Sequence, residues 1–226
     1  MKYRVVRLQE NESENHMSKL IEEAVKSLKL GHVIAIPTDT IYGIAALAQS
    51  TTAVKQLYEI KERHQEKPIA ICVGDVEDVK KWGKVTVYDE ILHDLLPGPV
   101  TLVFERTKEL NPGLNSGTKL VGIRIPNHKF VQQLAKACKE PIALTSANKS
   151  ARMSSLKIEE FKTLWPKLNL IVDGGLLGQS QACRQGSTVI NLSVPEEFSI
   201  IRDGSAYQRT LSILEVKYGL INADDR

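Results

Sequence analysis

Short apolar and β-branched runs alternate with amphipathic stretches along almost the whole chain, and several of the runs are joined by turns only a few residues long. Parallel neighbours need a crossover of a dozen or more residues, whereas a tight turn forces antiparallel pairing. The pattern therefore predicts an α/β fold: one twisted sheet of mixed parallel and antiparallel strands with flanking helices. At 226 residues such a chain buries ~70% of its unfolded surface and needs no disulfide or metal to hold a core. No composition shift or linker divides it, so a single domain over 1–226 is expected.

The elements follow from periodicity. Val5-Val6 opens a strand, and Leu20, Ile21, Ala24, Val25 and Leu28 make a helical stripe closed by Gly31. A strand over 33–36 stops at Pro37. Ser50 or Thr51 caps a helix carrying Val54, Leu57 and Tyr58, and a strand follows over 69–73. Asp75 opens a short helix towards Trp82, and Pro97-Gly98-Pro99 breaks the chain before a strand over 100–105. Asn111-Pro112-Gly113 and Asn115-Ser116-Gly117 read as turns. A strand over 121–125 leads to a helix capped by Asn127. Strand 141–145, helix 156–164, strand 170–172, a Gly174-Gly175 turn, strands 187–192 and 198–202 and a last helix over 211–218 complete the reading.

Several classes are disfavoured. Thirty Lys+Arg against 27 Asp+Glu leave +3, too slight an excess to point to a nucleic-acid module. Cys72, Cys138 and Cys183 cannot all pair within the chain and lack zinc-finger spacing. No apolar run approaches the ~18 residues of a membrane span, and the first residues mix basic and acidic groups, unlike a transit peptide. The expectation is a soluble cytoplasmic protein without integral membrane association, a mitochondrial fraction being left open. There is no P-loop, no G-x-G-x-x-G behind a strand and no G-x-S-x-G elbow.

What stands out is cationic and lies at strand ends. Lys61, Arg63 and Lys67 cluster at the end of the Val54 helix; they either complement the helix dipole or form a fork for an anion. Arg124 shares a strand face with Gly122, the apolar residues lying on the other. It takes either a salt bridge, an exposed place or a ligand. Ser146 and Asn148 end an apolar run at a spacing of two, the usual place for ligand contacts in α/β sheets but equally an asparagine turn. Pro37-Thr38-Asp39-Thr40-Ile41-Tyr42-Gly43 repeats the theme: turn chemistry explains Asp39 and Gly43, but not Thr38, Thr40 and Tyr42 together.

Seven segments bear on family. They are 37–43, Lys61-x-Arg63-x-x-x-Lys67-Pro68, Leu96-Pro97-Gly98-Pro99-Val100-Thr101-Leu102, Gly122-Ile123-Arg124-Ile125-Pro126, Leu144-Thr145-Ser146-Ala147-Asn148, Gly186-Ser187-Thr188-Val189 and Ile200-Ile201-Arg202-x-Gly204. In this order, over roughly residues 18–220, they resemble the YrdC family and within it the animal-type threonylcarbamoyl-AMP synthases. Many relatives follow the S-x-N segment with Ser-Gly-x-Pro, whereas here Ser150 is followed by Ala151-Arg152-Met153-Ser154-Ser155. With 22 residues after Gly204, the extra C-terminal domain of some members is not expected in this chain.

The resemblance implies a YrdC-like α/β sandwich with a concave basic cavity. It implies an enzyme that condenses L-threonine, bicarbonate and ATP into threonylcarbamoyl-adenylate and pyrophosphate, with Mg²⁺ assisting. The product passes to a tRNA threonylcarbamoyl transferase complex that modifies the adenosine beside the anticodon. Lys61, Arg63, Ser146 and Asn148 are the implied catalytic residues, with Arg63 on the threonine carboxylate, Lys61 on the phosphates, and Ser146 and Asn148 in the phosphate and metal region. Thr38, Thr40, Tyr42, Lys67 and Thr145 are implied at the substrate, and Arg124, Ser187 and Arg202 around the adenylate. No metal-ligating side chain is implied with assurance, the Mg²⁺ being held mainly by phosphates. The rival reading is an RNA-binding module using the same cavity, and weak tRNA binding is a further expectation. The chain lacks the aromatic strand motif that stacks bases.

Overall fold

The computed structural model describes residues 3–8, 14–62, 67–149 and 152–225. In chain order the elements are β1 (Arg4–Arg7), α1 (Glu14–Lys29), β2 (Ile34–Ile36), β3 (Gly43–Leu47), α2 (Thr51–Lys61) and β4 (Ala70–Cys72). A 3-10 turn leads to α3 (Val79–Trp82), β5 (Gly83–Lys84), α4 (Asp89–Leu95), β6 (Val100–Arg106), β7 (Leu120–Arg124), α5 (Lys129–Cys138) and β8 (Ile142–Ser146). The remainder is a kinked 3-10 segment (Ile158–Lys167), β9 (Leu170–Asp173), a 3-10 segment (Gln181–Gln185), β10 (Thr188–Asn191), β11 (Glu197–Arg202), α6 (Tyr207–Leu211) continued by a π-helical segment (Ser212–Lys217) where the last helix was expected over 211–218, β12 (Ile221–Asn222) and a 3-10 turn (Ala223–Asp225).

All strands join one mixed sheet in the order β1-β9-β2-β3-β8-β4-β7-β6-β10-β11-β12, with β5 beside β6. Pairs β1/β9, β2/β9, β4/β7, β6/β10 and β11/β12 are parallel; β2/β3, β3/β8, β4/β8, β5/β6, β6/β7 and β10/β11 are antiparallel. The mixed sheet expected from the turn lengths is what forms.

The two faces carry separate cores. Helices α1 and α5 lie together on one, where Leu20, Leu28, Phe130 and Val131 meet Ile34, Leu144 and Leu170. The other face packs against α2, α4 and the segment around Phe161, enclosing Leu57, Ile91, Phe104 and Leu214. The cluster beneath α1 and α5 contains no residue of β6, β7, β10 or β11. On that side of the sheet a cavity takes the place of a helix.

Three local expectations are corrected. Gly43, read as the end of a turn, opens strand β3, and 44–47, for which no element was expected, complete it, buried at every position; covered on both faces it shows no alternation, so the period-two signal is absent. Helix α5 begins after His128, not Asn127, and no side chain caps it; the Asn127 backbone N–H instead donates to Asp39 Oδ2 at 2.9 Å. The stretch expected as a helix over 156–164 is 3-10, non-helical at Phe161 and containing Pro166, which removes a backbone donor.

Candidate active site

A cavity of about 440 Å³ lies on the sheet face that α1 and α5 cover further along. Register places it there. Leu144 is beneath those helices and pairs with Ala70; Cys72, in the same cluster, pairs with Arg124. Directly paired residues and residues two apart share a face, so Arg124 and Gly122 point to the same side. Gly122 pairs with Val103, and Thr101 with Val189. Ala70, Gly122, Thr101, Val103 and Val189 therefore make a floor of small side chains, bounded by Arg124, Thr145, Ser146, Ser187 and Arg202. A Cβ on Gly122 would come within 2.9 Å of Thr101 Cγ2, so a side chain there would crowd that floor. The volume is in the range of small-molecule sites.

Lys61 is the last residue of α2, which ends with Glu62 in the left-handed region at φ 51°. It is not a surface charge on the helix dipole: it is 1% exposed. Its Nζ donates to the Ser146 backbone oxygen at 2.6 Å, to Ser146 Oγ at 3.0 Å and to Asn148 Oδ1 at 3.0 Å. Three of the expected catalytic residues thus meet at the carboxyl end of β8. Arg63, the fourth, lies outside the described residues. Lys67 is exposed, and its backbone oxygen accepts from Tyr58 at 3.3 Å.

The 37–43 segment is stitched to its neighbours. Thr38 Oγ1 accepts from the N–H groups of Thr40 and Ile41 at 3.1 and 3.2 Å and donates to Ile41 O at 2.7 Å. Thr40 Oγ1 accepts from Arg124 Nη2 at 2.8 Å, and Arg124 Nη2 also pairs with Asp39 Oδ1. Arg124 is 7% exposed, and its Nε is buried without a partner. Of the three outcomes open for Arg124, the salt bridge forms, and the residue lines the cavity as well. Tyr42 lines it too, but its hydroxyl is committed elsewhere: it donates to Gly175 O and accepts from Gly174 N–H, both at 2.8 Å. Burial, with Asp173 beside it, holds that phenol above its ordinary value, so it stays protonated.

At the far wall Arg202 donates from Nε and Nη2 to Ser187 O at 3.1 and 2.7 Å and from Nη2 to Ser187 Oγ at 3.1 Å. Thr101 Oγ1 lies 2.8 Å from Ser187 Oγ. A Cβ on Gly204 would sit 2.3 Å from the Ser187 and Thr188 backbones, so only glycine admits this approach. Three residues before Ser187 in the chain, Arg184 forms a forked pair with Glu160 at 2.7 and 2.9 Å.

Sequence reasoning passed over Thr101, Asp39 and Asn115. The signal for Thr101 was a lone hydroxyl in the apolar run 100–104. Asn115, read as turn material, is 3% exposed and clamps the Ile69 backbone: its Oδ1 accepts from the Ile69 N–H at 2.8 Å and its Nδ2 donates to Ile69 O at 2.9 Å, which fixes the chain entering β4. The cysteines are free; burial pushes the Cys72 and Cys138 thiols up to about 12, so neither is a nucleophile.

The family model Sua5_yciO_yrdC, described as "Telomere recombination", matches residues 26–204. The human protein named Threonylcarbamoyl-AMP synthase is 52% identical over 206 residues, covering 90% of this chain and 74% of that protein. The crystal structure of P. abyssi Sua5 complexed with L-threonine aligns with a TM-score of 0.82 at 27% identity, over 97% of this chain and 62% of that one. E. coli YciO aligns with a TM-score of 0.79 at 24% identity, over 90% and 97% of the two chains, a likeness of fold.

Proposed function

This chain belongs to the Sua5_yciO_yrdC family, and we infer that it is a threonylcarbamoyl-AMP synthase, a nucleotidyltransferase acting on L-threonine. The observation that carries the reading is its 52% identity to the human synthase over 90% of the chain, together with a small cavity lined by the motif segments. The finer proposal is that threonine, bicarbonate and ATP are the substrates. The threonine amine takes up bicarbonate with loss of water to give a carbamate. A carbamate oxygen then attacks the α-phosphorus of ATP, and pyrophosphate leaves.

Both partners in the second step are anions, so positioning and charge neutralisation carry most of the catalysis. Lys61 fixes a positive charge against Ser146 in the cavity wall, where we set the triphosphate. Arg202 and Ser187 hold the opposite wall and are assigned to the adenylate. Arg124 is tied to Asp39 and Thr40 of the 37–43 segment, the segment whose Thr38 lines the cavity. That supports Arg124, rather than the adenylate role first expected for it, as partner of the threonine carboxylate; Arg63 then serves the phosphates with Lys61. Thr145 lines the same wall.

Mg²⁺ belongs to the proposal. Ser146 Oγ and Asn148 Oδ1 are hard oxygen donors converging on the Lys61 ammonium, and the described residues hold no group of three acidic, imidazole or thiol side chains. Such a set fits an ion that keeps most of its ligands from water and phosphate oxygens; when bound it neutralises phosphate charge.

A cavity of this size favours the enzyme over an RNA-binding module, and among the described residues the one aromatic ring on its lining, Tyr42, is fully buried, giving no platform for a stacked base. Delivery of product to a tRNA threonylcarbamoyl transferase complex, weak tRNA binding and a cytoplasmic location complete the proposal. No helix among the described residues is long and apolar enough to cross a membrane. The test is pyrophosphate release from ATP, expected only with threonine, bicarbonate and Mg²⁺ together. Release independent of threonine would contradict it.

A further inference from the structure

We propose that Asp39 is a positioning residue that sets the orientation of the Arg124 guanidinium for the amino-acid substrate; the proposal rests on the assignment of Arg124 to the threonine carboxylate. An aspartate in a hydroxyl-rich turn ordinarily spends its carboxylate on the N–H groups that follow it. Here Thr38 Oγ1 accepts from the N–H groups of both Thr40 and Ile41. The Asp39 carboxylate is thereby released for two distant partners, Arg124 Nη2 through Oδ1 and the Asn127 backbone N–H through Oδ2 at 2.9 Å.

These contacts hold both Arg124 and the chain that follows it. One oxygen of Asp39 holds the side chain, and the other holds the backbone three residues further on, at the approach to α5. The Asp39 and Arg124 side chains are each 9% exposed, so the pair is shielded from the solvent that weakens surface ion pairs. Thr40 accepts from the same Nη2. With Nη2 committed to the 37–43 segment and Nε buried, Nη1 is the donor that the guanidinium keeps for a ligand in the cavity it lines. A planar fork binds a carboxylate well only when its plane is fixed, and Asp39 fixes it.

The experiment measures threonine and ATP affinity by titration calorimetry, with thermal melts, for Asp39→Glu, Asp39→Asn, Arg124→Ala and the Asp39→Glu/Arg124→Ala double variant. Asp39→Glu keeps the charge but displaces it by one methylene. It is expected to weaken threonine about tenfold or more, to leave ATP affinity within about threefold, and to melt near the parent. Asp39→Asn is expected to weaken threonine similarly while melting lower, because it leaves a buried charge unpaired. In the Arg124→Ala background Asp39→Glu is expected to add less than about twofold. Threonine affinity unchanged in Asp39→Glu while Arg124→Ala loses it overturns the positioning role alone, as does an undiminished effect of Asp39→Glu in the double variant. Normal threonine binding by Arg124→Ala overturns the carboxylate assignment and the proposal with it.

Discussion

Lys61 and Ser146, 85 residues apart, meet where α2 and β8 both end: Lys61 Nζ donates to the Ser146 backbone oxygen at 2.6 Å and to its hydroxyl at 3.0 Å. Burying an ammonium is costly, and this one lies beside the cavity, bonded to the Ser146 hydroxyl that lines it. The helix-dipole role open to Lys61 from sequence alone would be worth a few tenths of a kcal/mol at an exposed end.

Replacing Lys61 by Met keeps most of the stem and removes the charge. Pyrophosphate release is expected to fall about a hundredfold or more, the scale of losing a preorganised electrostatic contact. The thermal melt should also drop, since Ser146 O and Asn148 Oδ1 lose a donor, at about 1–3 kcal/mol for a buried group left unsatisfied. Full activity with only a lowered melt would leave Lys61 a structural residue.

Arg124 and Arg63 separate by which Michaelis constant moves. Arg124→Ala is expected to raise the threonine KM by about thirtyfold to a thousandfold, as loss of a charge-assisted fork does. It should also melt lower, because Asp39 is left buried and unpaired. Arg63→Ala is expected to raise the ATP KM instead, with little change in melting temperature, and Arg63→Lys to recover part of the loss. Steady-state kinetics on the three variants decide between them, and the reverse pattern would return the carboxylate to Arg63.

The Glu160–Arg184 pair, which also ties down Ser154 O and the Leu156 N–H, gives a pH dependence with a definite sign. The hydrogen bonds from Arg184, followed by the Leu156 N–H, hold the Glu160 carboxyl down to about 2, against an ordinary 4.5. A carboxyl depressed in the folded state contributes stability that is present above its unfolded value and is lost as pH falls through the folded one. Between pH 4.5 and 2 the melting temperature of the parent should therefore approach that of Glu160→Gln. A constant gap across this window would contradict the linkage.

The fold was legible where periodicity carried it. The stripe of Leu20, Ala24 and Leu28 and the run 100–105 became α1 and β6 because each has one buried side or a continuous apolar run bounded by turn residues. Strand β3 was not legible, since Gly43, Ala45 and Ala46 are small and buried on both faces. The site was legible as a set of strand-end residues, and the ordered segments named its family. Its wiring was not. Arg124 finds Asp39 across 85 positions, and Lys61 turns inward only because β8 ends opposite it. Spacing along the chain encodes neither contact. Nor does it encode the division of labour in the 37–43 turn, where Thr38 takes the local hydrogen bonds and frees Asp39.

The most direct measurement is the product itself. Purified protein is incubated with ATP, L-threonine, Mg²⁺ and ¹³C-bicarbonate, and the adenylates are resolved by mass spectrometry. Threonylcarbamoyl-AMP carrying one ¹³C in its carbamoyl group is expected, in step with pyrophosphate and absent when threonine is omitted. ATP turnover without a labelled adenylate, or a labelled adenylate formed without threonine, would contradict the assignment.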